Sequence, residues 1–353
     1  MPEALDHPED GPYWWPVAAS RRFAEVDVPT LHLGGWFDVF QDGTLRAFAG
    51  YRAHARSAAA RTAQRLVVGP WVHGPANVGQ RAVGELDFGA AAGFDLNGHR
   101  LRWYDHWLKG AANGALDGPP VRVFLMGANR WLELDAWPPP GATATPLYLR
   151  AGPGPSAASL NDGGLTFAPP AADEPPDRFA DDPADPPPSL PGGVAGGPRD
   201  QRPIEGRLLT YTSAPLARDL TVLGRVTAVL YGASSAPDTD WVVRLCDVWP
   251  DGRSMGVCDG ILRARYRDGL DRAMLLEPDR VYRFEVDLWS TAQVFAAGHR
   301  IRVPVASSDF PRYARNLHTG GAVGAEVEGR AAHNTVRHDA AAASHVLLPV
   351  LAA

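Results

Sequence analysis

The sequence predicts an α/β portion followed by an all-β portion, and three observations predict it. Between residues 26 and 109, apolar runs of strand length alternate with stretches of helical spacing, the pattern of an α/β fold. A proline-rich break, "DAWPPPGA" (135–142), then interrupts the alternation, as a boundary between units does. Beyond it come short alternating runs separated by turns, among them "LTVLGRVTAVLYG", "DWVVRLCDVWP", "VYRFEVDLW" and "HRIRVPVAS". No long helical pattern interrupts these runs, so the second portion reads as a sandwich or jelly roll.

In "VDVPTLHLGGWFDVF" (26–40), Val28, Leu31 and Leu33 form a strand that turns at Gly34-Gly35. Residues 41–63 carry Leu45, Phe48, Ala49 and Arg52 at helical spacing and then an Ala/Arg-rich tail, predicting a surface helix. "QRLVVGPWVHG" (64–74) predicts a short buried strand, Leu66-Val67-Val68, closed by Gly69-Pro70. On "HRLRWYDHWLK" (99–109), Leu101, Tyr104 and Leu108 form one helical stripe, widened by Trp103 and Trp107. Residues 168–198, loaded with Pro, Gly and Asp, predict a long irregular surface excursion.

A chain of 353 residues corresponds to roughly two domains at about 100–200 residues each. Its net charge of −6 argues against nucleic acid or an anionic membrane as the main partner. No apolar run is long enough for a membrane span. The N-terminus "MPEALDHPEDGPYWW" has neither a basic nor an apolar leader segment, which predicts a cytoplasmic protein. Cys246 and Cys258 flank the Pro-Asp-Gly turn at 250–252 and are expected as buried thiols facing each other across a hairpin. The acidic run "DEPPDRFADDPAD" (173–185) is expected as a solvated loop and not a metal site. His99 and His106 lack the HExxH spacing of a zinc helix, so neither metal nor cofactor is predicted. "SSDFPRYARN" (307–316) reads as a structural loop at a strand end.

Two constellations bear on chemistry. "GRSMG" (252–256) matches the G-x-S-x-G nucleophile elbow. An elbow needs a strand before the serine and a helix after it to support the oxyanion. Here a turn precedes Ser254, both flanks alternate like strands, and no helix follows, so Ser254 is rejected as a nucleophile. The other pair is Asp38, in the loop after the strand at 28–33, and His73, five residues after the next strand. An acid after one parallel strand and a histidine after the next suits an Asp that orients a general-base imidazole. Taken singly, an Asp after a strand is more often a helix cap and a lone His more often structural; their joint placement brings the catalytic reading level with these.

The same segments, "VDVPTLHLGGWFDVFQDGTL" and "RLVVGPWVHG", resemble the acid and histidine segments of the CocE/NonD hydrolases, which include cocaine esterase, X-prolyl dipeptidyl aminopeptidases and α-amino-acid ester hydrolases. The resemblance continues through "WYDHWLKG" (103–110), "VRVFLMGANRWLELDAWP" (121–138), "DVWPDGRSMGVCDGILRARYR" (247–267), "GHRIRVPVASSDFPRYARN" (298–316) and "SHVLLPV" (344–350). It implies the C-terminal part of an α/β-hydrolase domain at 26–137, a jelly-roll domain at 144–353 and the exit of a helical cap at 1–25. It also implies that Asp38 and His73 are acid and base of a Ser-His-Asp triad acting on ester, peptide or amide bonds of small substrates.

Family members carry the nucleophile in an elbow well upstream of the acid. Only Ser20 precedes Asp38 here, so the expected nucleophile lies outside this chain, which then reads as a truncated enzyme or as a split one completed by an upstream polypeptide. The remaining sheet is then expected to expose a strand edge and an apolar face, with Trp14, Trp15 and Trp36 contributing. The competing reading is a non-catalytic jelly roll that binds carbohydrate or a protein partner.

Overall fold

The described residues of a computed structural model, 2–152, 160–161, 163–190 and 196–352, form two main sheets and few helices. In chain order the strands are β1 (Leu31–Phe37), β2 (Arg65–Val72), the short pair β3 (Ala82–Val83) and β4 (Leu86–Asp87), β5 (Val121–Leu125), β6 (Arg130–Leu134), β7 (Ala142–Arg150), β8 (Gly163–Thr166), β9 (Asp177–Asp181), β10 (Leu209–Ser213), β11 (Leu220–Ser234), β12 (Asp240–Val248), β13 (Ser254–Arg263), β14 (Tyr282–Phe295), β15 (Arg300–Ala306), β16 (Ala332–Arg337) and β17 (His345–Leu351). The helices are α1 (Pro2–Leu5), α2 (Gln41–His54), α3 (Ala58–Thr62), α4 (Leu96–Lys109) and α5 (Arg202–Glu205).

The first sheet has the order β1-β2-β5-β6, with β1, β2 and β5 parallel and β6 antiparallel to β5. β2 is apolar through most of its length and buried from Leu66 to Trp71, as a strand covered on both faces must be. It runs to Val72 instead of closing at Gly69-Pro70. The proline is tolerated because β5 pairs with β2 only as far as Val68 and the β1 ladder is irregular between Gly35 and Phe37; a missing N–H is cheap at such a bulge. Gly69 is required there, since a Cβ would sit 2.4 Å from the Trp71 ring that folds back over it.

The helical pattern at 41–63 divides into α2 and α3, and the Ser57 hydroxyl caps α3 by accepting from Ala60 N at 3.1 Å. On α4 the stripe Leu101, Tyr104 and Leu108 faces solvent, and Trp103 is the residue that packs inward. A periodic stripe reveals a face but not what covers it. Trp36 does not belong to any uncovered surface. It is 4% exposed, and its indole donates to Phe124 O at 2.7 Å. Trp15 is exposed and Trp14 half-buried. Among the described residues β1 pairs with β2 alone, which leaves its other edge without a strand neighbour.

The second sheet runs β13-β12-β15-β10-β8-β7-β17-β11-β16-β9, with β14 pairing on β11. It curls back on itself: β13 lies against β14 so closely that a Cβ on Gly260 would meet Asp287 O at 1.9 Å. Its core is built from inward residues such as Leu147, Tyr211, Leu230, Trp241, Phe284 and Val303. The acidic run is not simply a solvated loop. Its prolines flank residues 177–181, which pair as β9 on β16, and Asp181 is buried against His318 Nε2 at 2.9 Å. Cys246 is buried and Cys258 half-buried, both free, on the neighbouring strands β12 and β13.

The two sheets share a seam. Met126, just past β5, exchanges backbone hydrogen bonds of 2.9 Å with Ala292 and Val294 of β14. Gln41, 2% exposed, donates to Trp36 O and Ser290 O at 2.9 Å and accepts from Ser290 N at 3.0 Å. Gln41→Ala strands those buried groups and is expected to cost about 2–3 kcal/mol, read as a lower urea midpoint at unchanged slope. An unchanged midpoint would show that the amide holds nothing.

Candidate active site

The register of β1 and β2 sets the site. Phe37 pairs with Val72, so the next residues, Asp38 and His73, leave adjacent parallel strands at the same level. His73 therefore follows its strand directly, and not after a five-residue gap. The strands approach unusually closely here, because a Cβ on Gly35 would lie 2.1 Å from Trp71 O. Only glycine fits at that position.

His73 Nδ1 lies 3.1 Å from Asp38 Oδ1 and 3.3 Å from Oδ2. Asp38 is held by the start of α2: its Oδ1 accepts from Phe40 N at 2.8 Å and its carbonyl from Gln41 N at 3.1 Å. It is thus both a turn-former and a partner of the imidazole. The His73 side chain is 55% exposed against 15% for Asp38, so the carboxylate is sheltered and the ring is presented outward. The Phe40 ring stands edge-on at 5.0 Å, and Asn77 Nδ2 donates to His73 O at 2.6 Å. After His73 the chain turns away through Gly74 at φ +107°. Among the described residues His73 Nε2 has no hydrogen-bond partner. Beside the ring is a cavity of about 170 Å³ lined by Gly34, Gly35, Val78, Leu96 and Arg100.

Asp38 also lines a cleft together with Phe37 and Val39, Asp259 and Trp289 of the second sheet, and Arg312 of the loop after β15. Arg312 and Asp259 in its wall form an ion pair, and the adjoining cavity is lined by the buried pair of Arg244 with Asp309 at 2.8 Å. Burial and then the Asp259 charge push the Tyr313 hydroxyl up to about 12. Burial also pushes the Cys246 thiol to about 12 and the Cys258 thiol well above its ordinary value, so neither supplies a thiolate near neutral pH.

Ser254 opens β13 at the end of a hairpin whose turn is closed by Gly252 N to Trp249 O at 2.9 Å. It is fully buried, and its hydroxyl is hydrogen-bonded to no histidine. Its backbone N donates to Asp200 Oδ1 at 3.0 Å. Among the described residues three further Asp–His pairs escaped the sequence reading: Asp247 with His299 at 2.8 Å, Asp181 with His318 at 2.9 Å and Asp177 with His338 at 3.0 Å. Each joins residues 52 or more apart in sequence, and no local spacing marks them. His318 and His338 are wholly buried, which distinguishes them from the presented ring of His73.

Residues 113–347 match the family model described as the X-Pro dipeptidyl-peptidase C-terminal non-catalytic domain, and residues 1–75 match that of X-Pro dipeptidyl-peptidase, S15 family. Asp38 and His73 fall in the second match and Ser254 in the first. Cocaine esterase from Rhodococcus sp. is 37% identical over 99% of this chain and 61% of its own length. An aminopeptidase from a marine sediment Thaumarchaeota archaeon superposes with a TM-score of 0.86 at 31% identity, over 99% of this chain and 60% of that one. An α-amino acid ester hydrolase does so with a TM-score of 0.86 at 29% identity, over the same shares. This chain spans about three fifths of the length of each of these relatives. With one family model covering most of the chain and an esterase matching nearly all of it, the chain belongs to the CocE/NonD family of hydrolases.

Proposed function

We propose that this chain supplies the acid and base of a serine hydrolase that cleaves small ester, peptide or amide substrates. The observation that carries the reading is the Asp38–His73 pair, with Nδ1 turned to a sheltered carboxylate and Nε2 turned out and unoccupied. Asp38 fixes the Nδ1–H tautomer, leaving Nε2 to take a proton from an attacking hydroxyl and return it to the leaving group. The four-stranded sheet is read as the end of an α/β-hydrolase sheet and the larger, curled sheet as its jelly roll. The nucleophile and the oxyanion donors are assigned to sequence beyond these 353 residues. The buried position of Ser254, at a strand start with no helix behind it, supports setting it aside.

The test is complementation. The chain is co-expressed with a polypeptide covering the elbow-bearing part of a relative, and hydrolysis of p-nitrophenyl esters and X-Pro anilides is assayed with fluorophosphonate labelling. Activity should require both polypeptides, with the label on the added one. A label on Ser254, or hydrolysis by this chain alone that survives His73→Ala, would overturn the assignment.

A further inference from the structure

A second cavity lies at the opposite end of the first sheet, where β1, β2 and β5 begin. Leu31 and Arg65 line it, and they start the strands that end beside Asp38 and His73. At about 3.3 Å per residue this places it roughly 20 Å from the catalytic pair. Its volume is about 160 Å³, room for a small ligand and not for a peptide.

The polar lining is predominantly cationic: Arg65, Arg102 and Arg122 with His99, against Asp117 and Glu133. Both acids are exposed, and neither comes within ion-pair distance of these arginines among the described residues. Arg122 faces Glu133 across the β5–β6 ladder, yet its guanidinium instead lies over the Trp131 ring at 4.9 Å. The Nε atoms of Arg65 and of Arg122 are both buried with no hydrogen-bond partner. A guanidinium left with buried, unmade bonds costs free energy that a bound acceptor would recover. Arg65 Nη1 donates to Gln64 O at 3.2 Å and its Nη2 to Leu116 O, so Arg65 brings its charge and its Nε, while Arg122 on the neighbouring strand and Arg102 on α4 bring the guanidinium forks that match an oxyanion. Trp103 supplies an apolar wall. The electrostatics agree: burial and then the Arg52 charge lower Arg65, while burial, Arg102 and Arg122 all lower His99.

We propose that this cavity is a binding site for a small oxyanion, held by Arg65, Arg122 and Arg102 and separate from the hydrolytic pair. Phosphate and carboxylate share the chemistry. The site needs no nucleophile and stands or falls independently of the proposed hydrolysis.

The experiment is calorimetric titration of the full chain at low ionic strength with inorganic phosphate and, in a second arm, with acetate. Wild type should show saturable binding at one site. Arg122→Gln should weaken it at least tenfold, as loss of one charge-assisted pair implies. Arg283→Gln, on an exposed arginine of β14, should leave it unchanged. Arg102→Gln, on an exposed helix position, gives a second readout if Arg122→Gln perturbs folding by circular dichroism. Tighter binding of phosphate assigns a phosphate site, and tighter binding of acetate a carboxylate site. Absence of saturation by both, or equal binding by wild type and both cavity variants, overturns the proposal.

Discussion

His73→Ala is expected to lower kcat of the complemented hydrolase by on the order of 10⁴–10⁶, with KM little changed. In the proposed reaction the imidazole enters only the proton transfers, and about half its surface is exposed, so its loss would remove transition-state stabilisation and not ground-state binding. Asp38→Asn leaves the turn to Phe40 N available through the amide oxygen. It nevertheless favours the wrong imidazole tautomer, and a loss of about 10⁴ is expected. Steady-state kinetics on ester and anilide substrates read both. Loss below tenfold in either variant would remove the pair from the chemistry and leave it a structural contact between two loops.

Asp238→Ala is the substitution expected to damage the fold most. The carboxylate is fully buried and accepts from Arg265 Nε at 2.8 Å, Arg265 N at 3.0 Å and Asn316 Nδ2 at 2.9 Å. Asn316 also donates to Asp240, which in turn pairs with Arg263 at 2.9 Å. Removing one partner from such a group leaves a buried guanidinium uncompensated, which costs about 3–5 kcal/mol. For a chain of this length that is a fall in Tm of roughly 5 °C, measured by calorimetry. Asp238→Asn keeps an acceptor while deleting the charge. A shift as large as that of the alanine variant would trace the effect to the ion pair, and a much smaller one to the hydrogen bonds.

What the sequence revealed, it revealed where interactions are local. Asp38 and His73 could be paired because two apolar runs are short and each is followed at once by a chemically distinctive residue. The hairpin around Ser254 was visible in Pro-Asp-Gly between alternating flanks. β2 was expected to end four residues early, because Gly69-Pro70 reads as a stop unless one knows that β5 has already departed. The α4 stripe was seen as a stripe, but its exposure depends on what packs beside it. The Arg65–Arg122 cavity was invisible because its residues come from β2, β5 and α4, and β9 was hidden behind its own prolines. The buried Asp–His pairs likewise join distant strands, and only tertiary packing brings them together.

The seam at Met126 has a consequence for how the protein can be divided. Trp36, Phe124, Leu223, Ala292 and Val294 belong to one apolar cluster, although the proline-rich run at 138–140 separates the first two from the others along the chain. The covalent crossing point and the energetic boundary are therefore different places. A gene cut at those prolines would hand each product part of a shared core, with the apolar residues of the seam left uncovered on both.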